Sequence, residues 1–394
     1  EEGQEEDDIT IEDIIDDSQA LHIAYDLAPV SLDPHRAHDR VSRDLVRHVY
    51  ESLVTFDQQL NIQPMLAESY EINETLKTIT FELRQGVLFH NGEKMQSHDV
   101  VASLKRWATI YADTHPFFKD IKFEAEGDYT VVVYLEKLSM FDLAMFADDT
   151  RFAAIMPKEL AYRYLSQELP KYIGTGPYQF SEWQEDDVKL TRFASYHSVE
   201  NLADGLAGNK QATRDHLYFH VVEDDYERVH GLKKGKYHVI QNVPYEHMPT
   251  LAFERHIQNQ ITGSQFPVIM FNQNRLFGDQ RLRLALASIL NIEELMQTAY
   301  RDPNFYDLDV SLTPSSSLWY VDMEDLDPIT QDVEYARELI REANYIGEKI
   351  HLLTTYDRED LYQLAVSIQQ QLRQIGMNIV LDAVDGASFH ALLK

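Results

Sequence analysis

Histidines, paired acidic residues and one isolated arginine are the side chains here whose spacing could do chemistry. His216 and His220 stand four apart, a spacing that converges two imidazoles on a metal when a helix carries them. Their surroundings, Leu217 to Val222, read instead as a strand, where both rings share a face and nothing draws them together. The sequence also lacks a His-Glu-x-x-His run, so ordinary core or surface histidines are expected. The acidic pairs Asp148-Asp149, Asp186-Asp187 and Asp224-Asp225 could act as acid/base couples, yet adjacent residues in a strand face opposite ways and solvated charge is expected of them. Gly174-Thr175-Gly176-Pro177 opens like a dinucleotide fingerprint, but the proline and the missing third glycine make it a structural turn. Neither a Gly-x-x-x-x-Gly-Lys phosphate loop nor a Gly-x-Ser-x-Gly nucleophile elbow occurs. Arg151 differs from these. It follows Asp148-Asp149 and precedes the apolar Phe152-Ala153-Ala154-Ile155, a setting in which a guanidinium either grips a ligand carboxylate through two parallel bonds or bridges the neighbouring aspartates.

Composition narrows the field further. The 394 residues suffice for two or three domains, and 22 Tyr and 18 Phe in a chain 44% hydrophobic are those of a folded protein. Against 66 acidic residues stand 35 basic ones, a net charge of −31 that repels phosphate backbones, so nucleic acid is not an expected partner. With no cysteine, disulfides, thiolate catalysis, thiolate zinc and iron–sulfur clusters are excluded. No apolar run is long enough to span a membrane as a helix. No cofactor or metal is expected from these residues, and no nucleophile constellation of an enzyme is among them.

Elements that would position these residues can be read from periodicity. Ten acids and no base fill residues 1–17, and mutual repulsion predicts an extended leader over about 1–20. Alternation predicts strands at Leu21 to Tyr25, Thr78 to Leu83, Tyr129 to Leu135, Leu217 to Val222 and Tyr237 to Ile240, and a hairpin from Tyr178 to Phe193. Val100, Leu104, Trp107 and Tyr111 share one face of a helix capped by Ser97, and another helix runs through Leu45, Val49 and Leu53. From Phe266 the pattern gives a strand at Pro267 to Phe271, helices over Arg281 to Leu290 and Ala336 to Ala343, and strand Ile350 to Thr354. A helix on the stripe Leu361, Leu364, Ile368, Leu372 then stops at Gly376 before a strand through Ile379.

Read in order, several segments resemble the extracellular solute-binding proteins of ABC importers for oligopeptides, dipeptides, glutathione and nickel complexes. The carriers are Ser31-Leu32-Asp33-Pro34-His35, Tyr50-Glu51-Ser52-Leu53, Pro64-Met65-Leu66-Ala67-Glu68, and Phe81 to Gly92 running into His98 to Arg106. Further carriers are Gly174 to Tyr178, Gly235 to His238, Phe277 to Ala285 and Ala336 to Ile340.

The resemblance implies an α/β fold, the two-lobed periplasmic-binding-protein type II clamp with an additional small α+β domain. Lobe I would comprise 21–56 and 172–262, the extra domain 57–171 and lobe II 263–394, incomplete at its C-terminal end. It implies capture of a small peptide-like ligand, an oligopeptide, dipeptide or glutathione-like solute, by a monomer that serves ABC transporter permease subunits. The place would be outside the cytoplasmic membrane, periplasmic or at the cell surface, with membrane attachment only through a lipid anchor that this chain does not include. Arg151 matches an arginine that faces the ligand carboxylate in similar proteins, His38 and Arg40 match ligand contacts after the first strand, and Val268 and Met270 match pocket-lining positions. The alternatives are the sensing domain of a cytosolic transcriptional regulator, or a binding protein for nickel complexes or other small solutes.

Overall fold

The computed structural model describes residues 19–139, 141–185, 187–260, 266–309, 311, 313, 317, 320–321 and 331–393. The expected acidic leader thus falls almost wholly outside the described residues. The chain divides into two units, Glu1–Met248 and Pro249–Lys394.

In the first unit the chain runs β1 (Ala20–Tyr25), α1 (Arg40–Val49), β2 (Val54–Phe56), β3 (Ile62–Pro64), β4 (Ala67–Asn73), β5 (Thr78–Leu83), α2 (Ser97–Tyr111), β6 (Lys122–Glu126) and β7 (Thr130–Tyr134). It continues through α3 (Asp142–Ala147), α4 (Lys158–Arg163), β8 (Tyr178–Gln184), β9 (Asp187–Arg192), β10 (His216–Val221), α5 (Asp225–Lys234) and β11 (Val239–Ile240), with α6 (Met248–Leu251) at the junction. Two larger sheets result. One has the order β11-β1-β10-β9-β8, with β1 parallel to both β10 and β11; the other is antiparallel, β4-β5-β7-β6. Alternation decides what each face meets: Ile23 and Tyr25 of β1 pack with Leu217 and Phe219 against Val41, Leu45 and Val49 of α1. Leu53, expected on that helix, follows its end. Helix α2 lays Val100, Leu104 and Trp107 on Ile79, Phe81, Val131 and Val133 of the second sheet. Its cap is Gln96, whose backbone N–H donates to Asp99 at 2.9 Å. Ser97, the expected cap, is already the first helical residue and donates to the Gly127 carbonyl at 2.5 Å.

Two buried knots lock this unit. Arg106 of α2 is fully buried and donates to Asp33 at 2.9 and 2.5 Å, while three further acceptors, His35 Nδ1, the Tyr164 carbonyl and the Gln167 carbonyl, take its other hydrogens. The second knot is the Gly174-Pro177 turn. A side chain at Gly174 or Gly176 would collide with the Val49 or His48 carbonyl at the end of α1, and Gly176 N–H donates to Val49 at 2.9 Å. His90 clamps the same turn, its Nδ1 accepting from Gly174 N–H at 3.2 Å and its Nε2 donating to the Gly176 carbonyl at 3.0 Å.

The second unit holds α7 (Gln280–Ile289), α8 (Ile292–Tyr300), α9 (Val333–Glu342), β12 (Lys349–Thr355), α10 (Glu359–Gln374), β13 (Asn378–Val384) and α11 (Gly386–Leu392). Strands β12 and β13 are parallel, with α10 as the crossover. Gly376, at φ +88°, turns the chain from α10 towards β13. The strand expected at Pro267 to Phe271 does not form. No described strand pairs with this segment, and without a partner its backbone groups go to solvent.

Candidate functional site

Ligands of open α/β sheets are taken at the carboxyl ends of the parallel strands. Here those ends are Tyr25, Val221 and Ile240. Just beyond two of them, a polar cluster assembles around Arg40, the first residue of α1, which is capped by Asp39 accepting from Ser42 N–H at 2.8 Å. The Arg40 guanidinium donates to Asp26 and to Gln241, and sits 5.8 Å over the Tyr25 ring. Asn242 donates to the other Asp26 oxygen at 2.6 Å, and Gln241 donates to Asp44 at 3.2 Å. Asn242 adopts φ +52°, a backbone asparagine tolerates better than most residues, and it turns the chain at the end of β11. Burial first, then Asp44, pushes the Tyr25 hydroxyl well above its usual range. The same loop exposes Leu27 and Val30.

A second cluster surrounds Tyr111 at the end of α2. His38 is exposed, with its ring edge-on to Tyr111 at 5.8 Å and Nδ1 3.5 Å from the hydroxyl. Trp107 Nε1 donates to the Arg151 carbonyl at 2.7 Å, fixing that backbone, and the guanidinium pairs with Asp148 at 3.2 Å. Burial raises the Tyr111 hydroxyl to about 12, with Arg151 and, more weakly, Arg43 pulling it down. His38 and Arg151 therefore both act on one tyrosine, the first by ring contact and the second through its charge, and Arg40 belongs to the neighbouring cluster. Val268 and Met270, in the second unit, are 65% and 70% exposed on an extended segment and not on the expected strand.

Arg43 escaped the sequence reading. Arg40, Arg43 and Arg47 recur at spacings of three and four and so lie along one side of α1. Arg40 pairs with Asp26, and Arg47 with Asp44 at 3.5 Å and with Asp149. Arg43 alone of the three has no side-chain partner among the described residues, and its Nε is buried. The arginine periodicity in so acidic a chain was the available signal. His216 and His220 share one face of β10, as expected, and His220 is tied to Asp187 at 3.1 Å and His22 at 2.9 Å. Among the described residues, the one group with ligand atoms close enough for a metal is Asp225, Glu246 and His247, with His247 already bonded to Asp225 at 2.7 Å.

Comparison with known proteins identifies this architecture. A family model described as bacterial extracellular solute-binding proteins, family 5 Middle, matches residues 61–393. The glutathione-binding protein GsiB of Escherichia coli K12 is 26% identical over 363 residues, covering 90% of this chain and 67% of the relative. This chain therefore spans about two thirds of that relative's length. A dipeptide-binding protein from Pseudoalteromonas sp. SM9913, solved with Met-Leu, superposes with a TM-score of 0.76 at 21% identity, over 95% of this chain and 78% of that one. The ABC transporter-associated periplasmic binding protein DppA of Helicobacter pylori, solved with the peptide STSA, gives 0.73 at 22% identity, over 94% and 74%. The α/β fold is that of the type II periplasmic binding proteins. With most of its length inside the matched region, the chain belongs to family 5 of the bacterial extracellular solute-binding proteins.

Proposed function

We propose that this protein captures a small peptide-like solute outside the cytoplasmic membrane and delivers it, chemically unchanged, to the permease of an ABC importer. Support comes from the family, from the glutathione, dipeptide and tetrapeptide named for its relatives, and from a cluster rich in both charges at the strand ends. The observation that carries the reading is Arg43, a guanidinium without a partner in a chain of net charge −31, where carboxylates are abundant. Leaving the buried Nε–H of Arg43 unmatched is costly, and a ligand carboxylate would take that hydrogen together with one from a terminal nitrogen. Arg151 and His38 flank that position through Tyr111. Arg40, held by Asp26 and Gln241, presents the polar floor, with Asp26 and Asp44 suited to a ligand ammonium group. Within the second unit, the exposed Val268 and Met270 are kept as candidate apolar contacts for a solute, with 57–171 as the extra domain. Screening glutathione, Met-Leu and Ser-Thr-Ser-Ala by thermal shift tests the reading. A solute binding only the folded state adds about 2.7 kcal/mol at a hundredfold excess over its dissociation constant. No shift with any of them, together with turnover of one, would refute it.

A further inference from the structure

Edge strand β11 is held to β1 by an imidazole as well as by backbone. The two strands share only the register pairs Ile23↔Val239 and Ala24↔Ile240. Just before them, His238 N–H donates to the His22 carbonyl at 2.9 Å, and His22 N–H donates into His238 Nδ1 at 3.0 Å. A side-chain nitrogen thus stands where a ladder carbonyl would. The bond requires a lone pair on Nδ1, so the His238 proton sits on Nε2.

The β1 side of this contact is fixed by a chain of three groups. Asp187 accepts from His220 Nδ1 at 3.1 Å, which leaves His220 Nε2 as an acceptor for His22 Nδ1–H at 2.9 Å. The two ring planes are parallel to within 8°, with centroids 5.2 Å apart. With nitrogens in contact at 2.9 Å, so wide a separation requires rings set edge to edge, the geometry of a straight N–H···N bond. His22 is 3% exposed and stacks on Tyr218 at 4.8 Å, whereas His238 is exposed. Solvent protons therefore reach the β11 side first. The groups facing the pair are Asp187 and Lys189 from β9, the latter over the Tyr218 ring at 5.1 Å, with His216, Tyr218 and His220 from β10. From the α5–β11 connection come Tyr237 and Lys236, the latter 3.5 Å from Glu227 of α5.

We propose that His238 is a proton-released latch: neutral, it holds β11 on β1 and with it Gln241 against Arg40 and Asp44; protonated at Nδ1, it lets that edge go. A proton on Nδ1 would point one N–H at another. Gln241 is the next residue after β11, and its N–H donates to the Ala24 carbonyl at 3.0 Å, so loosening the strand loosens the glutamine that braces the Arg40 cluster. Strand release stands without the solute-binding reading; only its effect at Arg40 rests on it.

Hydrogen exchange of the whole chain at pH 7.5 and 5.5, corrected for the intrinsic pH dependence of exchange, tests the latch without any ligand. An imidazole ordinarily titrates near 6.5, and one proton taken up on opening makes the open form about tenfold more populated across this interval. Peptides covering 238–241 should lose about tenfold in protection relative to those covering β5, and His238→Asn, whose side-chain oxygen accepts without titrating, should abolish the difference. Nitrogen-15 spectra of the wild-type histidines should show His238 protonated at Nε2 alone at pH 7.5. Equal pH responses of the two strands, a response that survives His238→Asn, or the opposite tautomer would each overturn the latch.

Discussion

Two arginines on neighbouring helices, Arg106 and Arg43, meet opposite fates. Arg106 spends all three of its nitrogens on Asp33, His35 and two carbonyls, at 0% exposure, whereas Arg43 finds no side-chain partner among the described residues. A guanidinium that is matched all round joins segments distant in sequence and stays shut. One left unmatched is available to a ligand. The segments that identify the chain are also separate from the candidate site. The Ser31-to-His35 and Gly174-to-Pro177 runs that carry the family resemblance serve buried knots, and the candidate site lies in quieter sequence beside them.

The largest effect should follow from opening the closed arginine. Arg106→Met leaves the Asp33 carboxylate buried without its cation, a change worth about 3 to 5 kcal/mol. Urea unfolding should register most of the fold's stability gone, and a loss under about 1 kcal/mol would reduce the knot to a decoration.

Acid should act next, through both knots. Burial holds the His90 imidazole down to about 4 and His35 to about 3. Both lie below the ordinary value near 6.5, so the unfolded chain binds more protons than the folded one as the pH drops. Stability is therefore full above about 6.5 and declines towards about 4, by about 3 kcal/mol for His90 alone. Denaturant titrations at pH 7.5 and 4.5 read this decline, and His90→Gln should flatten part of it. Stability that rises on acidification would reverse the sign of the argument.

Gly174→Ala probes the same turn with less force. Its new methyl group meets the Val49 carbonyl, and the α1 end must shift at a cost of about 1 to 3 kcal/mol. A melting point unchanged in Gly174→Ala would mean that close approach is not why glycine stands there.

A smaller stability effect still belongs to Arg151→Ala. Its pair with Asp148 is 36% and 23% exposed on the two sides, a setting in which an ion pair contributes about 0 to 1 kcal/mol. Any larger consequence should appear in solute affinity instead, and a fall in stability with unaltered affinity would confine Arg151 to its salt bridge.

Much of the fold was legible because one face of each element is buried. Thr78 to Leu83 alternates and is β5 as read, and the α10 stripe through Leu364, Ile368 and Leu372 is buried as read. The Pro267 to Phe271 segment is a short apolar run that would suit a buried strand and is no strand, since such a run reports the fitness of a segment and not the presence of a partner. Ser97 misled for a related reason: its type suits a cap, but the Asp99 carboxylate reaches the residue before it. The site was half legible. Arg151, His38 and Arg40 were visible as residue types at matching positions. Gln241 and Asn242 were not, because their nearness to Asp26 depends on β11 returning beside β1 across more than 200 residues.

Arg43 is where the account is most exposed. Calorimetry of wild type and Arg43→Gln against Met-Leu, or whichever screened solute binds tightest, and against its C-terminal amide, tests it directly. If the guanidinium takes the carboxylate in a water-poor site, Arg43→Gln should cost the free acid about 2 to 5 kcal/mol and the amide far less, with stability nearly unchanged because no internal pair is lost. Equal losses on acid and amide, or none on either, would contradict the claim that this unpartnered arginine is the anchor for the solute.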